Sequence, residues 1–435
     1  MICVKICISS FKGWLTVLLM GLFLVQCSPK NQESNPVTSS GLNTAHLDEL
    51  YEEIRMAGDT VGIIHLYSMY PDYHIADDTL NGMASVSDAS AAAVFYLHQY
   101  QNTSDPEYLH KGRMLLKFLM AMHAPDGYFY NYIGKDTRIY ADGMQSKAVP
   151  AWWSWQVLWA FGEALDILDP QDQLTYMISR YRNILINTVI HDGHFGSKAT
   201  ETAMGITIPT WLPQGDAADE AALLIVGMTK ALQQPSYSVN LDKTDVAAHI
   251  RHFAAGIMMM QVDAPGTTQD GAFLSYDNIW KSMDNLQAYA LLTAGQQLKD
   301  TTMIQSALRE INTYYPSMLK QGLMNEWSIK KEGGKLIPFD SRPFPQEVSG
   351  WRPMVWACLK AYEIKGEHHY LDLAKAGSAW LNGENPAHQA MYDPTTGRTF
   401  DAISKEGEVN KNSSGRTTIE ALLIMQALEE YTSHH

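Results

Sequence analysis

The body of this chain is almost free of cysteine. Of 435 residues only four are cysteine, and three of them, Cys3, Cys7 and Cys27, fall in the first 27 positions. Cys358 stands alone in the rest, which excludes a disulfide framework or a thiolate zinc site there. Positive charge is also scarce, with 32 Lys plus Arg against 47 Asp plus Glu and a net charge of -15. A chain this acidic, with no basic stripe, has nothing to grip a phosphate backbone, so nucleic acid is excluded as a partner. Missing too are a Gly-rich phosphate loop, a Gly-x-Ser-x-Gly elbow and a His-Glu-x-x-His pair. His191-Asp192-Gly193-His194 is no substitute, because it sits in a repeated loop whose other copies lack histidine. No cofactor and no metal is expected. What is present is a packed globular composition, 46 % hydrophobic and 18 % charged.

The N-terminus reads as a targeting segment. Lys5 and Lys12 precede an apolar run from Trp14 to Val25, too short to span a bilayer and suited to a signal peptide. The run ends at Leu24-Val25-Gln26-Cys27, which resembles a bacterial lipoprotein signal. That resemblance implies lipid on Cys27, export, and anchoring in a bacterial cell envelope. The alternative is an ordinary secretory signal, with Cys27 incidental. Residues 1–26 are read as signal, 27–42 as a polar, Pro-bearing tether and 43–435 as one domain.

From residue 43 onward, apolar residues recur at three- and four-residue spacing and strict alternation is rare, the pattern of an all-α protein. Helix starts fall near Thr44, Asp88, Asp105, Pro150, Pro170, Asp216, Thr244, Ser282, Thr301, Pro345, Glu367 and Thr417. A loop repeat runs through the series: Asp126-Gly127-Tyr128-Phe129, Asp192-Gly193-His194-Phe195 and Asp270-Gly271-Ala272-Phe273. Short links such as Asp169-Pro170 force neighbouring helices antiparallel. Six such pairs bury most surface by closing into a double ring, an (α/α)6 barrel. The helices near Asp88, Pro150, Asp216, Ser282, Pro345 and Thr417 carry little lysine and form the expected inner ring.

In such a ring the long loops gather at one end, before the inner helices, and functional residues concentrate on loops held by a rigid scaffold. These segments are rich in aromatics and acids. They hold Asp142 and Trp152; Trp211, Asp216, Asp219 and Glu220; Tyr276, Trp280, Asp284 and Asn285; and Glu347, Trp351, Arg352 and Glu420. Indole faces stack on sugar C–H surfaces while acids, amides and guanidinium groups bond hydroxyls, so a carbohydrate is the expected substrate. Hydrolysis of a glycoside needs one protonated and one ionised carboxyl flanking the bond. Asp216, Asp219 and Glu220 share one helical face, and their mutual repulsion raises at least one pKa, as a general acid requires. Asp88, Asp142, Asp284, Glu347 and Glu420 are candidates for the opposing carboxylate. Asp216, Asp219, Glu220, Asp284 and Glu347 are taken as catalytic. Asp88, Asp142, Trp152, Trp211, Tyr276, Trp280, Asn285, Trp351, Arg352 and Glu420 are taken as substrate-binding. Each acid alone is also a good helix-start residue; their recurrence on one rim points to chemistry.

On these features residues 43–432 resemble the six-hairpin glycosidase superfamily, barrels shared by glycoside hydrolases and some sugar epimerases. A sharper likeness involves Phe339-Asp340-Ser341-Arg342-Pro343, Tyr392-Asp393-Pro394-Thr395-Thr396-Gly397 and Val409-Asn410-Lys411-Asn412. These are similar to a barrel domain found beside bacterial glycosyltransferases, which implies functional acids at Glu347 and Glu420. The resemblances imply a glycoside hydrolase acting with inversion. A lyase or epimerase using Tyr276 and Arg352, and a non-catalytic glycan-binding lipoprotein, are the alternatives.

Overall fold

A computed structural model describes residues 42–77, 82–237 and 239–433. The expected signal segment, Cys27 and all of the tether but its last residue lie outside the described residues. The first elements are α1 (Ala45–Leu50) and a strand hairpin, Tyr51–Met56 against Asp59–Ile64. Helices α2 (Val86–Thr103), α3 (Pro106–Ala121), α4 (Trp152–Ile167) and α5 (Gln173–His191) follow. Then come α6 (Ala218–Gln233), α7 (Lys243–Met259), α8 (Gln287–Leu298) and α9 (Thr301–Arg309). A π-helical turn, Glu310–Tyr314, carries α9 into α10 (Tyr315–Gln321). The last are α11 (Arg352–Lys365), α12 (His368–Ser378) and α13 (Gly415–Ser433). Among the described residues no helix is long and apolar enough to cross a membrane.

Six helices form an inner ring. α2 packs on α4, α4 on α6, α6 on α8, α8 on α11, α11 on α13, and α13 returns to α2. Gln426 seals that closure by donating its side-chain amide to the Phe95 carbonyl at 3.2 Å. The inner helices are buried nearly all round, as in Val86–Leu97 without interruption, because neighbours cover both flanks and outer helices cover the back. Outer helices bury one stripe, as Leu174, Ile178, Leu185 and Val189 do on α5. Small residues let the inner ring close: a Cβ on Gly227 of α6 would lie 2.6 Å from Leu158 Cγ of α4. This is the expected (α/α)6 barrel.

One outer position departs from expectation. The helix beginning near Thr44 runs for only six residues, and the Tyr51–Ile64 hairpin takes over its place, with α1 on α13 and the second strand against α2 and α3. Met56 pairs with Asp59, so Ala57 and Gly58 form a two-residue turn, both at positive φ (52° and 88°), the geometry a tight hairpin demands. Two inner helices also start later than expected. Asp284 takes a positive φ of 56°, so α8 begins at Gln287, and a 3-10 turn at Val348–Gly350 delays α11 to Arg352.

The repeated loops are structural wedges. Phe129, Phe195 and Phe273 are fully buried, while Asp126, Asp192 and Asp270 each accept a backbone N–H of their own loop at 2.9–3.0 Å. Each wedge fixes where the chain leaves an outer helix and turns toward the inner one. The loops before α8 and α11 add a three-stranded sheet: Ile279–Lys281, Glu326–Glu332 and Lys335–Arg342, with Trp280 opposite Trp327. This sheet carries Lys281 to the barrel mouth.

Candidate active site

The first turn of α6 is the centre of the mouth. The backbone N–H groups of Ala218 and Asp219 both donate to the Ser275 carbonyl, which folds the loop before α8 across the start of α6. Asp216 reinforces this by accepting the Asp277 N–H at 2.6 Å, and Asp219 Oδ1 accepts the Glu220 N–H at 2.8 Å. A cavity of about 430 Å³ opens above, bordered by Asp216, Asp219 and Glu220 on one side, Tyr276, Lys281 and Asp284 on another, and Trp152 and Arg416 opposite. Acids from α6 and from the loop before α8 therefore share one hollow.

Their environments differ. Glu220 accepts the indole N–H of Trp155 at 3.1 Å, and among the described residues no cation pairs with it. Burial, then the negative charge of Asp219, pushes its carboxyl up to about 8, against the opposing pull of Trp155 and Lys281. Asp284 is the reverse case. Burial works to raise it, but Arg416 and Arg352 more than cancel that and hold it below the usual carboxylate range. Arg416 Nη2 donates to Asp284 Oδ2 at 2.6 Å and Arg352 Nη2 to Oδ1 at 3.3 Å. Burial and charge pairing thus push these two carboxyls of the cavity in opposite directions, Glu220 upward and Asp284 downward.

The cations are themselves anchored. Arg352 is 3 % exposed, donates from Nε to Glu420 and lies 4.7 Å from the Trp356 ring centre. Arg416 lies 5.8 Å from the ring of Trp152. Lys281 pairs with Asp219 at 2.9 Å and covers the Tyr276 ring at 5.3 Å. Burial raises Asp219 despite that lysine. Burial also raises Asp216, and pushes Asp88 up to about 6 and Glu347 upward although both feel Arg416.

Of the residues singled out in the sequence, Asp216, Asp219, Glu220, Asp284, Trp152 and Tyr276 border the cavity. Glu347, held by Ser349 at 3.3 Å, and Asp88, at the capped start of α2, do not border it. Arg352 and Glu420 form a buried pair beneath Asp284 and do not offer a hydroxyl-binding surface. Asn285 is used up inside, donating to the carbonyls of Phe273 and Lys281. Asp142 sits exposed on the loop before α4, outside the cavity.

Three tryptophans expected as stacking platforms are core residues instead. Trp211 stacks on His252 at 5.1 Å and donates to the His252 carbonyl. Trp280 lies flat on Trp327 at 5.6 Å, and Trp351 packs beside Trp380. All three are at most 4 % exposed, because an indole at a loop base removes more apolar surface from water by turning inward. Lys281 was not among the candidates, although the lone lysine in an acid-rich loop was the available signal. Among the described residues no cluster of three metal-ligating side chains occurs.

No family model matches the chain, and no curated protein matches it. Solved structures do match in fold. A cellobiose 2-epimerase from Bacillus thermoamylovorans B4167 superposes with a TM-score of 0.57 at 11 % identity, covering 88 % of this chain and 95 % of that one. A D-mannose isomerase gives 0.57 at 12 %, covering 85 % and 92 %. A family 76 glycoside hydrolase from a bovine Bacteroides thetaiotaomicron strain gives 0.56 at 12 %, covering 91 % and 79 %. At such identities the likeness is one of fold, and it places the chain among (α/α)6 toroids.

Proposed function

We propose that this protein is a carbohydrate-active enzyme, and specifically a glycoside hydrolase, working in the cavity between α6 and the loop before α8. The supporting observation is the split in protonation between Glu220 and Asp284. Glu220, protonated at neutral pH, gives its proton to the glycosidic oxygen as the bond to the anomeric carbon breaks. Asp284, kept ionised by two guanidinium groups, takes a proton from water as the water oxygen bonds to that carbon from the opposite face. Trp152 and Tyr276 supply the aromatic walls, and Lys281 and Asp216 the hydroxyl partners. The fold neighbours named above, an epimerase, an isomerase and a hydrolase, agree with a sugar substrate.

A lyase or epimerase needs a base for a C–H proton. Burial raises Tyr276, and Asp219 keeps Lys281 cationic against its burial, so neither serves well as that base near neutral pH. The experiment is product analysis on a panel of oligo- and polysaccharides. Release of reducing ends is expected, with kcat lowered about 10²–10⁴-fold in Glu220→Gln and in Asp284→Asn. An unsaturated or epimerised product would replace the hydrolase reading, and binding without turnover would leave a lectin-like protein. We also propose export and lipid attachment at Cys27, supported by the apolar run before it. Incorporation of a labelled fatty acid that disappears in Cys27→Ser tests this; equal labelling of the variant refutes it.

A further inference from the structure

Two of the Asp-Gly-x-Phe loops converge on one side chain, the fully buried Trp155 of α4. Tyr128 of the first loop meets its ring edge-on, with ring centres 6.1 Å apart and planes at 79°. Phe195 of the second does the same at 6.4 Å and 72°, and is itself backed by Phe253 of α7 at 5.6 Å. The first loop is fastened to the same turn of α4 by the neighbours of Trp155. Trp153 donates its indole N–H to the Phe129 carbonyl at 2.8 Å, and Ser154 Oγ accepts the Phe129 N–H at 3.2 Å. Edge-on contacts from two sides leave the Trp155 indole little freedom to turn.

Successive helical residues point about 100° apart, so the run Trp152-Trp153-Ser154-Trp155 sends its indoles in different directions. Trp152 borders the mouth cavity, Trp153 serves its own loop, and Trp155 reaches the neighbouring inner helix, α6. There Nε1 donates to Glu220 Oε2 at 3.1 Å, while Asp219 Oδ1 accepts the Glu220 N–H at 2.8 Å. Glu220 is therefore held at both its backbone and its carboxyl. A buried indole N–H is satisfied equally well by a carbonyl, as that of Trp153 is; this one is directed at a carboxyl that borders the cavity. An N–H donor prefers the unprotonated oxygen of a carboxylic acid. With Oε2 engaged, the proton of the acid form falls to Oε1, which takes no hydrogen bond from the described residues.

We propose that Trp155 is a positioning residue for the acid: its clamped N–H fixes how the Glu220 carboxyl lies and leaves the proton on Oε1, free to reach a glycosidic oxygen. Its use in catalysis rests on the hydrolase reading above; the hold on the carboxyl does not. Tyr128 and Phe195 act one step further back, by holding the indole, which gives the repeated loops a part in the chemistry besides their wedge role.

The test removes the N–H and keeps the shape. β-(3-Benzothienyl)alanine, inserted at position 155 of the full-length protein by stop-codon suppression, retains the fused ring and places sulfur where the N–H was. The readout is a carbon-13 titration of the Glu220 carboxyl, its signal assigned by its absence in Glu220→Gln. An N–H donor bonds the ionised carboxyl more strongly than the neutral one, so losing it moves the titration upward, by about half a unit to one unit. Trp155→Phe, which also loses the outer ring, shifts it in the same direction. On the oligosaccharide from which the wild type releases reducing ends, kcat of the benzothienyl variant falls about tenfold while KM stays within about twofold. A titration that stays in place or moves down is the result for an indole that only fills space, and overturns the proposal. So does an upward shift with kcat unchanged. Absence of turnover from every glycan would count against the hydrolase reading, and the titration would still decide whether Trp155 holds the carboxyl.

Discussion

Asp219→Asn separates the two sources of the high Glu220 pKa. In the wild type, burial and the Asp219 charge both act to keep Glu220 protonated, up to about 8. The substitution keeps the volume and the burial but removes the charge. Two unit charges roughly 7 Å apart at an effective dielectric of about 20 interact by about 2 kcal/mol, or between one and two pH units. The open side of the cavity screens part of this, leaving a downward shift on the order of one unit. Lys281, which pairs with Asp219 at 2.9 Å, loses its partner and pulls in the same direction. The alkaline limb of kcat/KM, set in the free enzyme by loss of the acid's proton, should therefore move from near pH 8 toward pH 7. A carbon-13 titration of the Glu220 carboxyl gives the same quantity without a substrate. A limb that stays near 8, or rises, refutes the electrostatic account. A limb that stays while the carboxyl titration shifts shows that Glu220 is not the acid.

Three more outcomes follow from the scaffold. Gly227→Ala sets a methyl against Leu158 at the α4–α6 crossing and should cost about 1–3 kcal/mol in urea unfolding; an unchanged midpoint means the inner ring is looser than described. Arg352→Met leaves Glu420 buried without its cation and should cost about 3–5 kcal/mol, most of it recovered in the Arg352→Met, Glu420→Met double variant; additive losses would exclude the pairing. Glu163 is drawn down to about 2 because Lys230 and His98 overcome its burial. Its folded pKa is below the unfolded one, so the stability it supplies is present above about pH 4.5 and lost as pH falls toward 2. That amounts to about 3 kcal/mol, and Glu163→Gln should flatten this stretch of the stability–pH curve.

Much of the architecture is legible in the residues. Period-3.6 patterning, short links and Asp-Gly-x-Phe loops specify helical pairs, and one-sided long loops indicate the end at which acids gather. Asp219 and Glu220 reach the rim on the first turn of α6, as the expected helix start implied, but Asp216 precedes that helix and is held there by the Asp277 N–H. Tyr51–Ile64 was readable as a hairpin from its β-branched residues and Gly58, but apolar spacing over so short a span fits helix and strand equally.

Sequence by itself determined the helical barrel and the acidic end of it, because both follow from local periodicity and from which loops are long. Tertiary structure alone decided which aromatics face the cavity and which carboxyl is ionised. Trp280 finds Trp327 through the pairing of distant strands, and Asp284 acquires its two arginines from 68 and 132 residues away. Burial and charge pairing are properties of what surrounds a group in space, and no spacing along the chain encodes them.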